Sequence, residues 1–231
     1  ASSIGPISIN PTLFGNLPVN PQKALQPVAL LGDVPNILVV PASSGIKNWK
    51  EFTAYLKANP NAINYGSTGI GTTAHLISYL FAQKMSIDAT HIPYKGAEAT
   101  RDLVAGRLQF MFATAPSVIP LIKAGQLNAI AVSSKKRITA MPDLPTLNEL
   151  GVDIATGAWF GLFAPAGTNP AIVKKLNETV VSILEEPAIR AKLLGLGADP
   201  ILMNVQEFTK FVRGDFALWA PIVKASGAKP E

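Results

Sequence analysis

The 231-residue chain is 48% apolar and only 15% charged, with no cysteine and a net charge of 20 − 15 = +5. That length suits one large α/β domain or two small lobes, and the composition excludes a disordered chain. The missing thiol excludes disulfides, thiolate nucleophiles, zinc fingers and Fe–S clusters. No apolar run approaches the ~18 residues of a membrane span. The basic residues are not gathered as nucleic-acid binding requires; their one dense cluster, Lys135-Lys136-Arg137, reads as a solvated turn.

In chain order, segment 1–42 carries two charges, Lys23 and Asp33, and is rich in Pro, Asn and Ser. It has neither the basic n-region nor the Ala-x-Ala site of a signal peptide. It reads as the middle of a protein, so an N-terminal truncation is expected. The segment ends in the apolar strand Ile37–Val40 and Pro41. A helix follows, capped by Ser43 or Ser44, with Trp49, Phe52, Tyr55 and Leu56 on one face and Asn59-Pro60 closing it. Strands are then expected at 63–65, 90–94, 108–112 and 127–132. Helices alternate with them, one after the Gly-rich segment 66–71 and others at 97–105 and 116–123. Such alternation predicts βαβ units and a mostly parallel sheet.

Beyond the turn at Pro142 and Pro145, a short helix to Leu150 precedes a strand at 159–164. The rest reads as mainly helical. Asn169 caps a helix with Pro170 at its first position, and Ile172, Val173, Leu176, Val180, Ile183 and Leu184 form its apolar face. Pro187 opens another helix, and Asn204 with Glu207 resembles a capping box for the last.

The chemically densest segment is 66–73, Gly-Ser-Thr-Gly-Ile-Gly-Thr-Thr, with three glycines and four hydroxyl residues between a strand and a helix. Glycine lets backbone approach a ligand, and a helix start presents unpaired N–H groups with partial positive charge. Ser67, Thr68 and Thr72 can add hydroxyl donors. The pattern suits a carboxylate or phosphate held without a formal positive charge; the plainer reading is a tight turn before a capped helix. Two nucleotide motifs fail on inspection. Gly66-x4-Gly71-Thr72 lacks the P-loop lysine, and Gly69-x-Gly71-x-x-Ala74 lacks an acidic residue at the end of the next strand, where Pro93-Tyr94-Lys95-Gly96 stands.

A second strand-to-helix turn, Phe112-Ala113-Thr114-Ala115-Pro116-Ser117, offers Thr114 or Ser117 as a cap or a ligand contact. Both turns belong at the carboxyl edge of a parallel sheet, where ligands collect. Catalytic constellations are thin. His75 and His91 are the only histidines, without metal-ligand spacing or clustered carboxylates, and Gly66-Ser67-Thr68 is no Gly-x-Ser-x-Gly elbow. Each histidine reads as a hydrogen-bonded structural group. Trp49 and Trp219 fit helix core stripes, while a cleft position is open to Trp159.

The motifs Asn64-Tyr65-Gly66-Ser67-Thr68-Gly69-Ile70-Gly71-Thr72, His75-Leu76 and Ile92-Pro93-Tyr94-Lys95-Gly96 come in a distinctive order. After them stand Gly106-Arg107-Leu108-Gln109-Phe110, Leu144-Pro145-Thr146 and Trp159-Phe160-Gly161-Leu162-Phe163-Ala164-Pro165. Together they resemble the Bug/TctC family, the substrate-binding proteins of tripartite tricarboxylate transporters. The resemblance covers essentially the whole chain and rests on the combination rather than on any one motif. It implies an α/β, two-lobed periplasmic-binding-protein-like fold of type II. Residues 1–42 and 156–231 would build lobe I, and 43–155 lobe II. Lobe I is expected to be incomplete at its N-terminus, because the family's opening strand and Pro-Gly-Gly type loop have no counterpart here.

The resemblance further implies a periplasmic, non-enzymatic protein that captures a small organic carboxylate and presents it to membrane permease subunits. No cofactor, metal, nucleic acid or membrane span belongs to that expectation. Carried over residue by residue, ligand contact falls on Ser67, Thr68, Gly69, Gly71 and Thr72, on Thr114, Ala115 and Ser117, and on Ser3 in lobe I. The alternative is a small α/β hydrolase or a nucleotide-dependent enzyme using the 66–73 loop.

Overall fold

Strands and helices alternate over residues 63–132, as the punctuation predicts. In the computed structural model, residues 1–230 are described. The first part of the chain runs through β1 (Ser2–Ser3), a π-helical turn (Gly5–Ile9), α1 (Asn10–Leu13), α2 (Pro21–Ala24), β2 (Leu25–Pro41) and a 3₁₀ turn (Ala42–Ser44). Then come α3 (Trp49–Ala58), β3 (Ile63–Ser67), α4 (Thr73–Met85), β4 (Ala89–Pro93), α5 (Glu98–Val104), β5 (Phe110–Thr114), α6 (Ala115–Lys123) and β6 (Leu127–Val132). Last are β7 (Gly157–Pro165), α7 (Pro170–Glu185), α8 (Pro187–Gly195) and α9 (Val205–Ala225). Two compact units result: residues 1–34 with the described residues from 158 on, and residues 35–157.

In the second unit the strand order is β6-β2-β5-β3-β4. β3 is parallel to β4 and β5, but β2 is antiparallel to both β5 and β6. The mostly parallel sheet expected above is therefore corrected to a mixed one. β2 lies between β5 and β6, the strands joined by the α6 crossover. Strand–helix alternation reports only how successive strands connect, and says nothing of a strand inserted between them.

Side chains alternate along β5. Phe110 and Phe112 pack with Phe52, Tyr65 and Phe81 beside α3 and α4, with ring centroids 5.5–6.3 Å apart. Met111 and Ala113 join Ile37, Val39, Leu103, Val118 and Ile119 on the opposite face. Each large apolar side chain so buried stabilises the unit by about 1.5–3 kcal/mol.

Two local expectations are corrected. α3 is capped not by Ser43 or Ser44 but by Asn48, whose side chain accepts the Glu51 N–H at 3.0 Å while Glu51 accepts the Lys47 N–H at 2.7 Å. Ser44 instead donates to the Pro41 carbonyl in the 3₁₀ turn. The segment before Leu150 forms turns rather than a helix. Arg137 forks onto Glu149 there, with its Nε 3.0 and 3.1 Å from the two carboxylate oxygens.

In the first unit β1 pairs antiparallel with β7 through Ser2↔Gly161 and Ser3↔Phe160. Trp159 is 1% exposed, which corrects the cleft position considered for it. It packs against Phe163, Phe208 and Phe211, and its indole N–H donates to Asp215 at 2.9 Å. Trp219 donates to the other Asp215 oxygen at 3.1 Å. On α7, Val173 and Leu184 are buried, whereas Ile172, Leu176 and Ile183 are exposed, so only part of the expected apolar face is covered. Between them the buried Asn177 amide donates to the Val28 and Met203 carbonyls.

Candidate anion-binding site

Because β3 and β5 are parallel neighbours, in register at Tyr65↔Phe110 and Gly66↔Met111, both strand-to-helix turns lie at one edge of the second unit's sheet. The Gly-rich turn is built by different constraints at each glycine. A Cβ on Gly66 would stand 2.5 Å from Leu108 Cδ1, so packing keeps that residue small. Gly69 (φ +140°) and Gly71 (φ +77°) hold conformations that disfavour side chains.

The hydroxyls are largely engaged inside the turn. Ser67 is 0% exposed; its Oγ accepts the Gly69 N–H at 3.2 Å and lies 3.0 Å from the Gly69 carbonyl and 2.7 Å from His91 Nε2. Thr72 caps α4, accepting the His75 N–H at 3.4 Å and donating to the Gly69 carbonyl at 2.7 Å. Thr68 is exposed, and Gly71 donates its N–H to His75 Nδ1 at 3.2 Å. The first turn of α4 leaves the Thr73 and Ala74 amides without intrahelical acceptors.

Beneath the turn the His75 and His91 rings stack with centroids 3.9 Å apart and planes 10° from parallel. Tyr65 stacks on His91 at 5.0 Å. Burial pushes both imidazoles down to about 4, His91 with a further contribution from His75, so both are neutral at pH 7. Burial likewise pushes Tyr65 up to about 12, helped by Tyr79. Ser67 and His91 stand at a nucleophile–base distance. The Ser67 oxygen, however, is enclosed and already bonded to Gly69, which does not make an attacking group.

At the neighbouring turn, Thr114 occupies the N-cap of α6 without a side-chain cap bond. Its Oγ1 donates to Ser117 Oγ at 3.2 Å, and Ser117 Oγ donates to the Thr114 carbonyl at 2.7 Å. Ala115 is fully buried, leaving only its backbone for a ligand. Ser3 belongs to the first unit, on β1. Thus 67–72 and 114–117 share an edge, while Ser3 is built into separate architecture.

Both histidines are hydrogen-bonded structural groups, as the sequence reads, but their common service to the turn is what sequence reasoning missed. The i, i+4 spacing of Gly71 and His75 was a usable signal; the Tyr65↔His91 register was not visible. It also missed Asn36, opposite Thr114 on β2, which is fully buried with neither end of its amide partnered among the described residues. Among those residues no three His, Asp or Glu form a metal-binding group, and no helix is long and apolar enough to cross a membrane.

The TctC profile, described as the tripartite tricarboxylate transporter family receptor, matches residues 1–228. The chain belongs to this family. Its TctC relatives include the "UPF0065 protein in gbd 5'region" of Cupriavidus necator, 37% identical over 192 residues, which are 83% of this chain and 59% of that protein. Bordetella pertussis BugT is 31% identical over 231 residues, 99% of this chain and 71% of BugT. The chain thus spans 59–71% of the length of these two relatives. Among solved structures, R. palustris Rpa4515 with adipate superposes with a TM-score of 0.88 at 31% identity, covering 100% of this chain and 78% of that one. MatC from Rhodopseudomonas palustris with bound malate gives 0.80 at 29% identity, covering 96% and 77%. The α/β fold is that of the TctC solute-binding proteins.

Proposed function

We propose that this chain acts in the periplasm as a solute-binding protein of a tripartite tricarboxylate transporter. It holds a carboxylate of a small organic acid at the 66–73 turn and presents that acid to the permease subunits. The observation that carries this reading is a helix start and a glycine turn at one sheet edge, offering amides and the exposed Thr68 hydroxyl with no lysine or arginine in the turn. A helix N-terminus carries about half a positive charge and stabilises an anion without a cationic side chain. Adipate and malate in the two solved relatives favour a carboxylate over a phosphate.

In this reading the exposed Thr68 hydroxyl and the Thr73 and Ala74 amides donate to the carboxylate. Gly69, Gly71 and Thr72 line the contact, their N–H groups held by Ser67, His75 and the Gly69 carbonyl, and Ser67 shapes the turn from within. Thr114, Ala115 and Ser117 form the neighbouring wall, and Ser3 is a contact carried over from the family resemblance. The lobes are residues 1–42 with 156–231, and 43–155. No observation favours the hydrolase or nucleotide-dependent alternative.

Thermal shift and calorimetry with malate, adipate, citrate and inorganic phosphate test the reading. A carboxylate at 100 times its Kd adds about 2.7 kcal/mol of stability. Gly69→Val, strained at φ +140°, removes that response. Response to phosphate alone, or to none of the four, overturns it.

A further inference from the structure

The Gly-rich turn is anchored from beneath by histidines on two different elements. The Gly71 N–H ends on His75 Nδ1 of α4, and Ser67 Oγ meets His91 Nε2 of β4. A neutral imidazole has one N–H and one lone pair. The Gly71 bond therefore puts the His75 proton on Nε2. Ser67 has one hydroxyl proton for two neighbours, the Gly69 carbonyl and His91 Nε2. When the proton points to Gly69, His91 donates from Nε2 to Ser67. A proton added at His75 Nδ1 would replace the acceptor of the Gly71 N–H by a second donor. It would also place positive charge against a ring only 3.9 Å away.

We propose that His75 and His91 are positioning residues of the anion turn: through their hydrogen bonds they fix the Gly71 backbone and the Ser67 side chain, and so place the unpaired Thr73 and Ala74 amides of the helix start for the ligand. The inference rests on the reading of 66–73 as an anion site. The titratable groups facing the pair are Tyr65, stacked on His91 from β3, and Tyr79 of α4, which acts on Tyr65. Among the described residues no carboxylate acts on either ring, so nothing offsets the cost of charging them. Asn can mimic the Nδ1 acceptor of histidine, because its Oδ1 reaches a similar point; Leu fills the space without an acceptor.

The test uses the full chain labelled with ¹⁵N. Long-range ¹H–¹⁵N imidazole spectra at pH 7 are expected to show His75 as the Nε2–H tautomer. The Gly71 amide exchanges slowly in the unmodified chain and in His75→Asn, and about tenfold faster in His75→Leu, which leaves that N–H unpaired. Calorimetry with malate and adipate reads the same ordering, Kd being kept in His75→Asn and weakened about tenfold in His75→Leu at comparable melting temperature. An Nδ1–H tautomer, or equal exchange and equal Kd in the two variants, overturns the proposal. If His75→Leu does not fold, the tautomer of the unmodified chain still decides. An unmodified chain that binds no carboxylate defeats the proposed function, whereas tautomer and exchange judge the positioning of the turn independently.

Discussion

Burial moves two sets of side chains in opposite senses, and the consequences for stability differ in sign. His75 and His91 are pushed from 6.5 down to about 4, so between those values the unfolded chain binds more protons than the folded one. Stability is then full above about pH 6.5 and falls as pH drops toward 4. In the first unit Asp33 is pushed from 3.8 up to about 6 by burial first, then by Asp199 and Asp215. Here the folded chain binds more protons in the window, so stability is lost as pH rises through it. Asp33→Asn is expected to raise the melting temperature at pH 7.5 and give little gain at pH 4, read by scanning calorimetry. An equal gain at both pH values would show that ionisation is not the cause. Packing supplies a second residue-scale prediction. A Cβ on Gly161 would stand 2.5 Å from Phe208 Cζ and 3.1 Å from Phe163, inside an aromatic cluster. Gly161→Ala should cost about 1–3 kcal/mol in urea unfolding, as overpacking does.

At the scale of elements, helix starts were the most legible part of the sequence. The Asn204–Glu207 capping box and the Asn169 cap with Pro170 behind it occur as expected, because a cap joins residues two or three positions apart. The same logic assigns α3 to Asn48, three residues before its partner Glu51, rather than to either serine. Asn48→Ala and Asn204→Ala should each cost about 1 kcal/mol, and Ser43→Ala much less. Equal losses at Asn48 and Ser43, by chemical denaturation, would return the cap to the serine. β2 was less legible. It runs 17 residues through Pro27 and Pro35, residues that read as breakers, and its ladder with β5 starts only at Asn36, just beyond Pro35.

For the whole molecule, the +5 charge and the uncharged turn separate two effects that are often merged. The net charge attracts anions over a distance and is screened by salt; amides and hydroxyls act at contact and are not. For whichever carboxylate binds under the proposed function, raising NaCl from 50 to 500 mM should therefore slow association and leave dissociation nearly unchanged, read by stopped flow. A dissociation rate that rises steeply with salt would place a cationic side chain in the contact. Family membership, unlike ligand identity, needed only the order of motifs along residues 1–228.

The sequence by itself determined where most helices and strands start and stop, the α/β class and the place of a glycine turn before a helix start. Caps, glycine turns and periodicity act within about one helical turn, so the evidence for them is contiguous. Tertiary structure alone decided the reversed direction of β2, the pairing of the Trp159 and Trp219 indoles with buried Asp215, and the stack of His75 on His91. Ser67 and His91 lie 24 positions apart, and Trp159 and Asp215 56 apart. Sheet register and side-chain packing bring such residues together, and neither is written in local spacing.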